Sequence, residues 1–210
     1  MIWDALQLSL LVSTLATIWV GVIGTGFGLL LARKRFFGRT LLDLVLTLPM
    51  ILPPTVTGYY LILLLGRKGL LGQYLYDWTG FTFAFAWQGA ALASGVVALP
   101  IMVRAARAAF LDVPVAYEQA SYVLGKNRIT TFFRVTLPLA RQGLLSGLIL
   151  SFARSIGEFG ATLMLAGNIP GRTQTMPLAI YEAFATGQDG LAQALAIILT
   201  VISGAVIVIT

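Results

Sequence analysis

The chain has 210 residues, 58% of them apolar and only 10% charged, with a mean hydropathy of +0.90. Soluble domains carry about 25% charged residues, so this chain cannot wet the surface of one; it also has no cysteine or histidine, which excludes disulfides, the usual zinc sites, thiol nucleophiles and imidazole bases. The net charge of +6 is gathered into particular connections and reads as membrane topology, not as a nucleic-acid footprint.

Five stretches reach the roughly 20 apolar residues that cross a bilayer core: 8–32, 40–65, 83–103, 142–166 and 191–210. Short alternating strands of the barrel type are absent from the sequence. The expected fold is therefore an all-α membrane protein of about five transmembrane helices, forming one domain over 1–210. The first span is not expected to be a cleavable signal peptide, because Met1–Gln7 contains Asp4 and no Lys or Arg. It carries "GVIGTGFG", with Gly24 and Gly28 four apart and Ala16 and Val20 beside them. Small residues at that spacing let helices approach closely, either within the chain or at a dimer seam.

Arg33, Lys34, Arg35 and Arg39 follow this span. The second span contains "LPMILPPTVTGYY", where Pro49, Pro53 and Pro54 each remove a backbone donor. It must kink or break near its middle, as a packing helix or as one that lines a pathway. Arg67 and Lys68 lie beyond it, and Pro100 near the inner end of the third span is a weaker signal of the same kind.

The connection between the third and fourth spans is long, with "YEQASYVLGKNRITTFFRVTLP" at its centre. A helix is expected to begin at Pro114, capped by Asp112, and to stop at Gly125. A second short helix should carry Ile129, Phe132, Phe133 and Leu137 at helical spacing before Pro138 leads into the fourth span. Such a two-helix loop over 111–138 could lie on anionic lipid, connect in solvent, or fit a groove in a soluble partner. Arg104, Arg107, Lys126, Arg128, Arg134 and Arg141 cluster around it.

The fourth span contains "SFARSIGEFGATLMLAG", with Arg154 and Glu158 in the apolar run. Each costs on the order of 3 kcal/mol at a span centre, and their i,i+4 spacing lets them neutralise each other. They serve either as a structural pair or, together with Gly157 and Gly160, as part of a pathway or gate. Next, "GNIPGRTQTMP" combines turn chemistry with Asn168, Arg172, Thr173, Gln174 and Thr175, a set polar enough to dock a soluble partner or enter a pathway mouth. "LAIYEAFATG" then reads as a short amphipathic helix on the outer surface. The fifth span ends at Thr210 without a basic anchor, so a short charged tail is expected beyond it. The basic connections face the cytoplasm by the positive-inside rule, which places the amino terminus outside and the carboxyl terminus inside.

Gln119-Ala120-Ser121, then Gly125, then Val135 and Leu137-Pro138 resemble the EAA loop of ABC-importer permease subunits. The spacing from the glycine to the Leu-Pro pair matches in full. The departures are Gln119 in place of Glu and Ser121 in place of Ala. Glu118 offers the acidic group one residue earlier, and which of the two side chains meets the ATPase is left open. "LTLPMILPPTVTGYYLILLLG", "ALASGVVALPIMVRAARAAF" and "GEFGATLMLAGNIPGRTQTMPLAIYEA" extend the resemblance along nearly the whole chain. It is greatest to the molybdate branch of that family; sulfate permeases are similar through "GEFG" and "AGN-x-P", while "GRTQTMPLAIY" is the molybdate-like continuation.

The resemblance implies a transport subunit in the inner membrane of a prokaryote, working as a homodimer by alternating access. It further implies two cytoplasmic ATPase subunits that bind ATP and Mg, and an external oxyanion-binding protein. The coupling residues would be Glu118, Gln119, Ala120, Ser121, Gly125, Leu137 and Pro138. The pathway or gate candidates are Pro49, Pro53, Pro54, Arg154, Gly157, Glu158 and Gly160, and the docking candidates are Asn168, Arg172, Thr173, Gln174 and Thr175. No metal or cofactor is expected in the chain itself. Gly125-Lys126 lacks the other elements of a phosphate loop, so the chain should not hydrolyse ATP alone. Sulfate or tungstate transport is the alternative within the family. An ATP-independent channel or secondary carrier would repeat polar residues along several spans, and an intramembrane enzyme would carry H-E-x-x-H or G-x-S-x-G; neither pattern is present.

Overall fold

Every regular element in the computed structural model, which describes residues 2–208, is helical. The first span is α1 (Ile2–Arg33), 32 residues and about 48 Å long at 1.5 Å per residue. That exceeds a bilayer core of roughly 30 Å, so the helix tilts or projects beyond it. Next comes the pair α2 (Arg39–Ile51) and α3 (Pro54–Leu65), which turn on each other through 118°. Pro49 is absorbed within α2, whereas Pro53 and Pro54 break the helix, since two successive residues without an N–H leave Pro49 and Met50 carbonyls without their i+4 donors. The short α4 (Gly72–Thr79) leads toward α5 (Trp87–Leu111), which starts later and ends later than expected because Arg104 and Arg107 continue the helix.

Helix α5 is the centre of the bundle and packs against α1, α2 and α3 and against both segments of the fourth span. The small residues of α1 make this possible. A Cβ at Gly28 would lie 2.5 Å from Ala106 Cβ and 2.8 Å from the Arg107 backbone nitrogen, and one at Gly24 would lie 2.7 Å from Met102 Cγ. Ala16 and Val20 are fully buried as well. The small-residue stripe therefore packs α1 onto α5 within the chain and is not a dimer seam.

After α5 comes α6 (Val115–Val123). Asp112 occupies the C-cap position of α5 and does not cap α6, whose N-cap is Pro114. The second limb is not a separate helix. Arg128–Thr131 (α7) runs through a π-turn at Phe132–Thr136 into α8 (Leu137–Ile156), so Arg128–Ile156 forms one 29-residue rod. Pro138 explains the π-turn: it withholds a donor from the Arg134 carbonyl, and the helix widens so that Leu137 N–H reaches Phe132 O.

The fourth span is also broken. Helix α8 stops at Ile156 and a second segment, α9 (Gly160–Ala166), resumes after Gly157–Phe159. Beyond it, α10 (Met176–Ala185) is not confined to the surface. Its Met176 and Ala179 pack with Ala5 of α1 and Leu195 of α11 (Asp189–Val208), and Met176 N–H donates to Ser9 Oγ at 2.7 Å. The tail expected beyond Thr210 lies outside the described residues.

Candidate functional site

Three sets of residues singled out in the sequence fall at three levels of the bundle. At the basic end, α6 and the rod form a hairpin hinged at Gly125. Gly125 adopts φ +75°, its N–H bonds Tyr122 O at 2.9 Å, and Lys126 N–H bonds Ser121 O at 3.1 Å. This is the Schellman arrangement, in which a left-handed residue satisfies the last helical carbonyls. Asn127 starts the second limb by accepting from Thr130 N–H at 2.8 Å. Between the limbs, the buried Ser121 and Thr131 hydroxyls share a hydrogen bond of 2.9 Å.

Glu118 points into the protein. Its Oε1 accepts from Arg33 Nη2 at 2.8 Å and from Thr136 Oγ1 at 2.9 Å, with 14% of the side chain exposed. One carboxylate thus links α1, α6 and the π-turn. Arg33 Nη2 also donates to Val113 O at 3.0 Å. Gln119 and Ala120 face solvent instead, as do Val123, Leu124, Ile129 and Phe133 around the hairpin tip. Leu137 is half-buried, and Pro138 is exposed in the first turn of α8. A second bridge, from Arg107 Nη1 to Asp43 Oδ2 at 2.8 Å, fastens α2 to α5 at the same end. The importance of Arg33, Thr131 and Thr136 had no local signal in the sequence: each acts on a residue well removed along the chain.

Deeper in the bundle, the two helix breaks touch. Gly160 lies where a Cβ would come within 3.1 Å of both Pro54 Cβ and Thr55 N, and α3 packs along α9 through Gly58, opposite Ala161 and Met164. Arg154 Nη1 and Glu158 Oε2 are 2.7 Å apart, as the spacing suggested, but Glu158 stands past the end of α8. There its Oε1 accepts from Ala161 N–H at 2.8 Å and holds the start of α9. The carboxylate side chain is 1% exposed and the guanidinium side chain 33%. Pro53, Pro54, Gly157, Glu158 and Gly160 therefore meet at one level, while Pro49 lies on the α2 side of a shallow groove with Thr57 and Tyr60. The buried hydroxyls of Thr57 and Ser155 have no hydrogen-bond partner among the described residues, and neither stood out in the sequence.

At the far end, the polar loop divides into a buried frame and an exposed crest. Thr173, Gln174 and Thr175 are buried, and so do not present themselves for docking as expected. Thr173 Oγ1 accepts from Ile169 N–H at 3.0 Å, while Asn168 and Gln174 both donate to Glu182 Oε2. Pro170, Gly171 and Arg172 remain exposed. Arg172 lines a cleft of about 610 Å³ together with Arg67 and Lys68, so three basic residues converge at this end.

Residues 24–210 match the binding-protein-dependent transport system inner membrane components. The chain belongs to this family, the ABC-importer permeases. This permease is 50% identical over 193 residues to the molybdenum transport system permease protein ModB of Escherichia coli (strain K12), covering 91% of this chain and 84% of that protein. It is 37% identical over 200 residues to the sulfate transport system permease protein CysW of Synechococcus elongatus, covering 95% and 70%. Its fold is that of a bacterial ABC transporter involved in the import of the acidic polysaccharide alginate, with a TM-score of 0.78 at 16% identity over 98% of this chain and 76% of that one.

Proposed function

We propose that this permease moves molybdate across the cytoplasmic membrane of a prokaryote, as one of two identical subunits that alternate access to a shared path. The observation that carries the substrate is the 50% identity to a molybdenum permease, against 37% to a sulfate permease of similar coverage. The sulfate likeness supports the second reading, a permease for sulfate or another tetrahedral oxyanion such as tungstate.

Each level of the bundle takes a part. The chain acts as a single transmembrane domain, with ATP and Mg bound by two ATPase subunits at the basic end. The hairpin formed by α6 and the rod seats in the ATPase through Gln119, Ala120 and the tip around Gly125, while Glu118 and Ser121 keep its limbs together. Because the second limb is continuous with α8, a push at the hairpin moves a rod of 29 residues as one body. Leu137 and Pro138 stand just beyond the π-turn, where the hairpin limb passes without a break into α8. The paired breaks at Pro53–Pro54 and Gly157–Gly160 absorb the motion, with Arg154 and Glu158 close to the path and Pro49 in the adjoining groove. At the far end Arg172 and the crest beside it meet the external binding protein, on a frame held by Asn168, Thr173, Gln174 and Thr175. The basic cleft beneath draws the anion electrostatically.

The deciding experiment reconstitutes the permease with its ATPase and binding protein in vesicles and measures ATP-driven uptake of molybdate in competition with sulfate and tungstate. Uptake that requires ATP and favours molybdate supports the reading. Sulfate outcompeting molybdate would transfer the assignment to sulfate, and uptake without the ATPase would refute the coupled mechanism.

A further inference from the structure

A notch of about 570 Å³ opens where α1 leaves the apolar region and the hairpin folds back against it. That volume lies within the roughly 300–1,000 Å³ of small-molecule pockets. One wall is a stripe on α1, with Gly26, Leu29, Leu30 and Arg33 on a single face by helical spacing. Gly26 faces open space, since a Cβ there would meet nothing within 4 Å. Opposite stand Val115 and Phe132, from the two limbs of the hairpin. The deeper part of the notch is therefore apolar, about 10 Å below Arg33 at 1.5 Å per residue.

The mouth is basic. Lys34 and Arg128 line it, and neither has a carboxylate partner among the described residues. The one acid in the lining, Glu118, is already paired with Arg33. Arg33 in turn has a buried Nε–H with no acceptor among the described residues. Its guanidinium nonetheless lines the notch beside Lys34, adding positive charge to the mouth.

We propose that this notch binds one anionic glycerophospholipid, with its phosphate between Lys34, Arg128 and Arg33 and an acyl chain along Gly26, Leu29 and Leu30. The apolar depth distinguishes a lipid from a soluble anion, which would gain nothing from that wall. The positive mouth selects an anionic headgroup over a zwitterionic one, as basic recesses at the cytoplasmic ends of transmembrane helices do. The lipid would touch α1 and both limbs at once, so its presence stiffens the hairpin. Anionic lipid would thereby raise transport per ATP hydrolysed.

The test uses the complete complex of permease, ATPase and binding protein in nanodiscs of phosphatidylcholine doped with phosphatidylglycerol. Native mass spectrometry counts the phosphatidylglycerol retained per permease chain, and uptake per ATP is measured in vesicles of the same compositions. The expected result is one retained phosphatidylglycerol per chain and a several-fold gain in uptake per ATP. Both should be lost in Lys34→Gln/Arg128→Gln and kept in Arg35→Gln, which removes the same type of charge from a neighbour outside the notch. Equal retention of the two lipids, or equal loss in Arg35→Gln, would overturn the proposal. Two other outcomes would also overturn it: displacement by millimolar inorganic phosphate would mark a soluble-anion site, and lipid binding by the free permease but not the complex would assign the notch to the ATPase.

Discussion

Replacing Glu118 with glutamine tests whether this residue steadies the hairpin or contacts the ATPase directly. The wild-type Oε1 holds Arg33 at 2.8 Å and Thr136 at 2.9 Å, with side-chain exposures of 20% for Arg33 and 14% for Glu118. Such shielding places the pair above the 0–1 kcal/mol of exposed ion pairs and near the 1.5–3 kcal/mol of hydrogen bonds to charged groups. Glutamine keeps an acceptor but loses the charge, for an expected cost of about 2 kcal/mol, or roughly 30-fold in the docked-to-undocked ratio. Trypsin cleavage after Lys126 and Arg128 reads the undocked population when opening is fast relative to cleavage. The rate should rise by that factor, and uptake per ATP should fall with it. If Glu118 acts through Arg33, Arg33→Gln added to Glu118→Gln costs only the further bond to Val113 O, and so less than Arg33→Gln costs alone, because the shared interaction is already gone. Unchanged cleavage, or costs that add in the double variant, would refute the positioning role and return Glu118 to the ATPase surface.

Gly125→Ala should cost about 1–2 kcal/mol from the left-handed backbone alone, since no atom lies within 4 Å of the added Cβ. Gly125→Pro should be worse, because it also removes the bond to Tyr122 O; trypsin sensitivity would separate the two. In α1, Gly28→Ala should lower thermal stability in detergent by about 1–3 kcal/mol as α1 and α5 are forced apart, whereas Gly26→Ala should be tolerated. Glu158→Leu removes both the Arg154 pair and the cap on Ala161, and should cost about 3 kcal/mol, toward the low end for buried pairs because Arg154 is partly exposed. Glu158→Gln retains the cap and should be milder in the same melting assay. Gln174→Leu should destabilise the far-end loop, whereas Arg172→Gln should leave the melting temperature unchanged and weaken only uptake driven by the binding protein.

Much of this architecture was legible in one dimension because lipid imposes strict conditions. Long apolar runs have to be helices when backbone groups find no water, and three prolines within 49–54 required a break in the second span. The glycine that ends α6 was readable because few residues accept a left-handed backbone. The break at Gly157–Phe159 was not readable, since its sequence contains no proline and the i,i+4 spacing of Arg154 and Glu158 fits an unbroken helix equally well. Likewise, the π-turn follows from the chain continuing through Pro138 instead of restarting there.

The sequence by itself determined the membrane class, the clustering of basic residues at one end, the hinge at Gly125 and the pairing of Arg154 with Glu158. These depend on composition or on spacings within a single helix. The tertiary structure alone decided that Glu118 faces Arg33, that the two helix breaks abut at Pro54 and Gly160, and that Thr173, Gln174 and Thr175 form a frame behind Arg172. Each of these depends on where a polar group finds its partner once water is excluded. That partner comes from whichever segment packing brings alongside, and no local pattern in the chain names it.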